Sequence, residues 1–99
     1  MNLHIDLQEG FHRDKVKIII NNKQHYLNPD LNTRLQTNLA DKFETQIEDL
    51  PVKIEIKVET KKIKKIITLD NNEETYVGFS ITRDGKLKYK IQDTPFFYM

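Results

Sequence analysis

Alternation with a period of two constrains this chain more than any other feature. It is clearest in Val52-Lys53-Ile54-Glu55-Ile56-Lys57-Val58-Glu59. Successive side chains of an extended backbone point to opposite sides. Val52, Ile54, Ile56 and Val58 therefore form one oily row, and Lys53, Glu55, Lys57 and Glu59 form a charged one. That is the signature of a half-buried strand.

The pattern recurs along most of the chain. Residues 2–8 place Leu3, Ile5 and Leu7 inward, and residues 15–20 do the same with Val16, Ile18 and Ile20. Asn21-Asn22 offers a tight turn, because Asn tolerates positive φ. Residues 24–27 return as a short strand, stopped by Asn28-Pro29-Asp30. After a turn at 60–62, residues 63–69 put Ile63, Ile67 and Leu69 in phase and Ile66 out of it. Residues 75–82 and 86–92 close the series. Seven or eight short strands predict an all-β fold, a small antiparallel β-sandwich formed by residues 1–99 as one domain. One sheet cannot hide its own oily face, so a second sheet must cover it.

Residues 33–50 are ambiguous. Leu35, Leu39, Phe43 and Ile47 recur every four residues, which suits a helical face and also alternate inward positions of a strand. Asn38 would cap a helix and Pro51 would end it. Thr33, Thr37 and Thr45 favour extended structure. The expectation is strands broken by a turn near Ala40-Asp41, with an α+β fold carrying one short helix near 38–49 as the alternative.

The last hairpin permits a sharper deduction. A two-residue loop, Asp84-Gly85, sets Ile81 against Lys88 and Phe79 against Lys90, so the oily rows face opposite sides. A three-residue loop, Arg83-Asp84-Gly85, sets Ile81 against Leu87, Phe79 against Tyr89 and Val77 against Ile91. Burial selects the second register. Its usual geometry has glycine in the left-handed region, here Gly85. On the other face Gly78, Ser80 and Thr82 lie across from Lys90, Lys88 and Lys86, which reads as a solvated, aggregation-resistant surface.

Composition narrows the function classes. Sixteen basic residues nearly balance fifteen acidic ones, leaving +1, so no global field draws nucleic acid or anionic lipid. Cysteine and tryptophan are absent, which removes disulfides, thiolate metal sites and the immunoglobulin signature. The opening residues lack a basic leader, and no apolar run approaches the ~20 residues of a membrane span. A cytoplasmic protein is expected. Abundant Ile, Lys and Asn carry the codon bias of an AT-rich, bacterial-type genome.

No constellation announces chemistry. His4, His12 and His25 show no ligand spacing, so neither a metal nor another cofactor is expected. Glu9-Gly10-Phe11-His12-Arg13-Asp14 gathers acid, imidazole and guanidinium in what reads as an ordinary polar loop. Asp70-Asn71-Asn72-Glu73-Glu74 resembles a calcium loop, but Thr75 and Ile81 stand where glycine and a bidentate glutamate belong. There is no nucleotide-binding glycine motif and no nucleophile elbow, so no catalytic role is expected.

Two features remain as candidate sites. Thr94-Pro95-Phe96-Phe97-Tyr98-Met99 ends in four apolar or aromatic side chains that cannot share one face. Phe96 and Tyr98 fall on one side, and Phe97 and Met99 on the other. One pair is expected in the core, with the other covering a loop, the open end of the sandwich or a second subunit. Lysines supply the second feature. Residues 51–69 hold six of them against Glu55 and Glu59, with Lys61, Lys62, Lys64 and Lys65 the densest group. Lys86, Lys88 and Lys90 form a stripe. Both suit anion contact, although no aromatic interleaves the first group to stack on bases. The leading expectation is a non-catalytic protein-interaction or structural module, a homodimer joined through a sheet edge or Phe96–Met99. A sandwich binding a small ligand or carbohydrate, with Phe11 and Tyr26 as platforms, is the alternative. Nucleic-acid binding through the lysines is the weaker one.

Overall fold

The computed structural model describes residues 1–98; Met99 lies outside the described residues. Its strands are β1 (Asn2–Leu7), β2 (Asp14–Ile20), β3 (Lys23–Leu31), β4 (Asp41–Gln46), β5 (Val52–Val58), β6 (Ile63–Leu69), β7 (Thr75–Ile81) and β8 (Leu87–Gln92). One 3-10 turn, Glu59–Lys61, joins β5 to β6. The strands form two four-stranded sheets, ordered β4-β1-β7-β8 and β3-β2-β5-β6. Every pairing is antiparallel except β1 with β7. The protein is an all-β sandwich, as the alternation requires.

The oily rows meet between the sheets. Leu3, Ile5, Leu7, Val77 and Phe79 on one side face Val16, Ile18, Ile20, Val52, Ile54, Ile56 and Val58 on the other, all fully buried. Phe11, from the loop after β1, joins this core. Gly10 makes that loop possible. It sits at φ +90°, and a Cβ there would lie 2.1 Å from the Ile81 carbonyl oxygen. The close approach lets Ile81 N–H donate to Glu9 O at 2.8 Å and Gln8 N–H to Phe79 O at 2.7 Å, extending the β1–β7 pairing.

Turn chemistry sets the registers. Asn21 and Asn22 both take positive φ, 48° and 65°, and join Ile20 to Lys23. In the last hairpin Ile81 faces Leu87, Phe79 faces Tyr89 and Val77 faces Ile91. Gly85 has φ +82°, and its N–H donates to Thr82 O at 2.9 Å. This is the three-residue loop that burial selects.

Three expectations need correction. β3 does not stop at Asn28-Pro29-Asp30 but runs through Pro29 to Leu31. Pro29 is tolerated because β3 is an edge strand, and β3 meets β2 with two register irregularities. The chain does not turn at Ala40-Asp41; Asp41 opens β4. The reversal comes earlier, closed by an Arg34–Leu39 bridge with Asn38 at φ 57°. Asn38 therefore serves a tight turn and caps no helix, and Leu35 at its tip is 87% exposed. Finally, the outward face of β7 is not solvated, since Gly78 and Ser80 are both buried.

Candidate functional site

The outer face of the β4-β1-β7-β8 sheet carries small residues down its middle. Gly78 and Ser80 on β7 leave a trough between Asp6 and Gln8 on one side and Lys88 and Lys90 on the other. Residues 93–98 fold back over that trough as a strap. Gln92 starts the return, its side-chain amide donating to Thr94 O at 2.8 Å and Pro95 O at 3.2 Å. Tyr98 anchors it. Its hydroxyl donates to Asp6 Oδ2 at 2.5 Å and accepts from Gln8 Nε2 at 3.0 Å. Burial, and then the Asp6 carboxylate, push the phenol pKa well up, so Tyr98 stays a donor.

The aromatic run therefore departs from expectation. Phe96, Phe97 and Tyr98 stay outside the core between the sheets, and Met99 lies outside the described residues. Phe96 and Tyr98 do share a side, but they pack against the outer face. Phe97 points away and is 92% exposed. The strap divides the outer face into two hollows. One, of about 670 Å³, is lined by Gln8, Ser80, Lys88, Lys90, Phe97 and Tyr98 among others. The other, of about 310 Å³, lies between Phe96, Tyr76, Lys42 and Glu44.

His4 borders the second hollow. Its ring stacks on Tyr76 with centroids 4.1 Å apart, and its nitrogens lie 3.1 Å from Glu44 and 2.9 Å from Glu74. Burial, Glu74, Glu44 and Asp6 raise the Tyr76 pKa. His12 and His25 sit elsewhere, and burial lowers the His25 pKa. Among the described residues no group of three or more ligating side chains could hold a metal ion. The acidic 70–74 stretch makes a turn, with Asn71 Oδ1 accepting from Glu73 N–H at 3.1 Å.

The lysines do not assemble into one surface. Lys61 is committed, its ammonium 2.6 Å from both oxygens of Asp14, a carboxylate only 1% exposed. Burial raises the Asp14 pKa, but bonds from Lys61, Thr60 and the His12 N–H outweigh it, so the net shift is downward. Lys64 lies 3.9 Å from Glu55, and Lys62 is exposed in the left-handed region after the 3-10 turn. Lys86 approaches Asp84 at 3.8 Å. Lys88 and Lys90 have no ion pair among the described residues. Lys64 points outward from one sheet while Lys86, Lys88 and Lys90 point outward from the other, so the two groups face opposite ways.

Lys65 occupies the position the alternation leaves unexplained. It pairs with buried Ile56, so it belongs to the inward row of β6. Its ammonium lies 5.4 Å from the centroid of the Tyr89 ring, which belongs to the inward row of β8. β6 and β8 are edge strands of their sheets and meet along one side of the sandwich. That side is open. Tyr89 and Ile91 pair with fully buried Phe79 and Val77, yet remain 44% and 41% exposed.

The opposite side, between β3 and β4, is latched. Tyr26 stacks on Phe43 with centroids 5.3 Å apart, and its hydroxyl donates to Asp41 Oδ2 at 2.7 Å. Burial and the Asp41 contact raise the Tyr26 pKa strongly. Tyr26 is thus a structural latch, and Phe11 lies inside the core, so the two carbohydrate-platform candidates are occupied. No reading of the sequence marked the open side, although its signal was present in the in-phase Lys65 between Ile63 and Ile67.

Among the described residues no helix is long and apolar enough to cross a membrane. Compared with known protein families, with characterised proteins and with solved structures, the chain matches none.

Proposed function

We propose that this chain is a non-catalytic protein-interaction module that accepts an extended segment of a partner alongside β8. Strand addition supplies affinity through main-chain hydrogen bonds and selectivity through alternate side chains. The observation that carries the reading is the state of β8 as an edge. It contains no proline, no bulge and no inward charge, its protection is limited to the outward Lys88 and Lys90, and its inward Tyr89 and Ile91 are half uncovered. Edge strands are ordinarily blunted by such devices. β3 has Pro29 and two irregularities, and β6 has its inward Lys65.

Self-pairing through β8 is the poorer alternative. Every two-fold antiparallel register that pairs four or more residues of β8 and keeps Leu87, Tyr89 and Ile91 inward sets lysine against lysine on the outer face. Like charges directly opposite destabilise a sheet. The partner is therefore a different chain, not a second copy.

Selection of peptides from a random display library tests the proposal. Wild-type protein is expected to retain peptides that fail to bind Tyr89→Lys, a variant whose thermal unfolding stays close to wild type. Peptides that bind both proteins equally would place recognition elsewhere and end the strand-addition reading.

A further inference from the structure

The charge distribution between the two sides of the sandwich points to the chemistry of the partner. β6 and β8 carry four lysines, Lys64, Lys65, Lys88 and Lys90, and no acid. β3 and β4 carry Lys23 and Lys42 against Asp30, Asp41 and Glu44. A chain with a net charge of only +1 has thus concentrated lysine on the two strands of its open side, with Lys64 alone of the four near a carboxylate, Glu55 at 3.9 Å.

Resting on the strand-addition reading above, we infer that the segment bound at β8 alternates carboxylate and apolar side chains. In the sheet, directly opposed residues share a face. A strand beside β8 sets one row against Lys88 and Lys90 on the outer face. Neither lysine has an ion pair among the described residues, and both are exposed. The other row lies against Tyr89 and Ile91, where apolar side chains complete the burial that the sandwich leaves unfinished. Lys65 closes this row, its ammonium over the Tyr89 ring at 5.4 Å.

A nucleic acid is the lesser fit. The free row of N–H and C=O groups on β8 demands a peptide backbone, which a phosphate chain does not supply. The lysines also point to different sides, with Lys64 on the far face of the other sheet, so one phosphate backbone reaches few of them.

The test uses the whole chain and three probes: Glu-Val-Glu-Phe-Glu-Val-Glu, the same peptide with Lys for Glu, and a single-stranded DNA of mixed sequence. Binding is followed by fluorescence anisotropy at low salt and by perturbation of the β8 amide resonances. The acidic peptide is expected to bind and to shift β8 amides, and Lys88→Glu with Lys90→Glu is expected to weaken it about ten-fold or more. The same double variant is expected to gain affinity for the lysine peptide. Equal binding of both peptides to wild type, at β8, would overturn the acidic preference and leave strand addition standing. DNA binding that shifts the β8 amides while both peptides fail would overturn both. Failure of all three probes at β8 would also overturn both.

Discussion

The two long sides of this sandwich are built from the same kinds of strand and end differently. On the β3–β4 side, Tyr26, Phe43 and Asp41 lock one sheet edge to the other through a stacked pair and a hydrogen bond at 2.7 Å. On the β6–β8 side a lysine reaches over a tyrosine that is nearly half exposed. The first arrangement covers the inward side chains of both edges. The second leaves the apolar area of Tyr89 and Ile91 partly uncovered, which forgoes stability unless something else buries it. The difference separates the side of the molecule that holds the sheets together from the side proposed for binding.

The largest expected effect lies on the latched side. Tyr26→Ala removes a stacked ring and the donor to Asp41, and should cost about 3 kcal/mol in urea unfolding. Tyr89→Ala, the matching truncation on the open side, should cost less, about 1 kcal/mol, because close to half of the ring stays in water and no hydrogen bond is lost with it. Equal losses would erase the distinction between the sides.

Next comes the anchor beneath β6. Lys61→Met leaves the Asp14 carboxylate buried with fewer partners and should cost about 1.5–3 kcal/mol. The pH dependence follows from the sign of the shift. The Asp14 carboxyl ionises more readily folded than unfolded, so its contribution is present above the ordinary value of 3.8 and is lost as pH falls through the lower folded value. Asp14→Asn should flatten this acid limb in unfolding curves collected from pH 5 to 2.

Gly85→Ala should cost about 1 kcal/mol through its positive φ alone, since nothing lies within 4 Å of the added Cβ. No measurable loss by urea titration would count against the loop that sets the β8 register. The smallest effect on stability belongs to Lys65→Val, within about 0.5 kcal/mol. Its consequence should appear in light scattering, as association that rises with concentration once the inward charge is gone.

Much of the fold was legible because alternation reports directly on burial. The β7–β8 register followed from requiring Ile81, Phe79 and Val77 to share a side with Leu87, Tyr89 and Ile91. Residues 33–50 resisted because spacing by four fits both secondary structures, and the exposed Leu35 added an oily residue with no structural meaning. The strap was unreadable for a different reason. The burial of Asp6 and Ser80 on an outward face depends on a segment some ninety residues from Asp6 in sequence, and local pattern carries no trace of it. The open side depends on which strands end as edges, which is topology. Lys65 was its one sequence mark, a charge exactly in phase with Ile63 and Ile67.

Lysine placed at matched inward positions tests the contrast most directly. Phe43→Lys and Tyr89→Lys put the same charge into the inward rows of β4 and β8, and urea unfolding measures the cost of each. The latched side should yield by about 3 kcal/mol or more, while the open side should change by less than about 1 kcal/mol, the new ammonium remaining in water. Comparable destabilisation by the two variants would mean that the β6–β8 side is closed in solution, and would contradict the account.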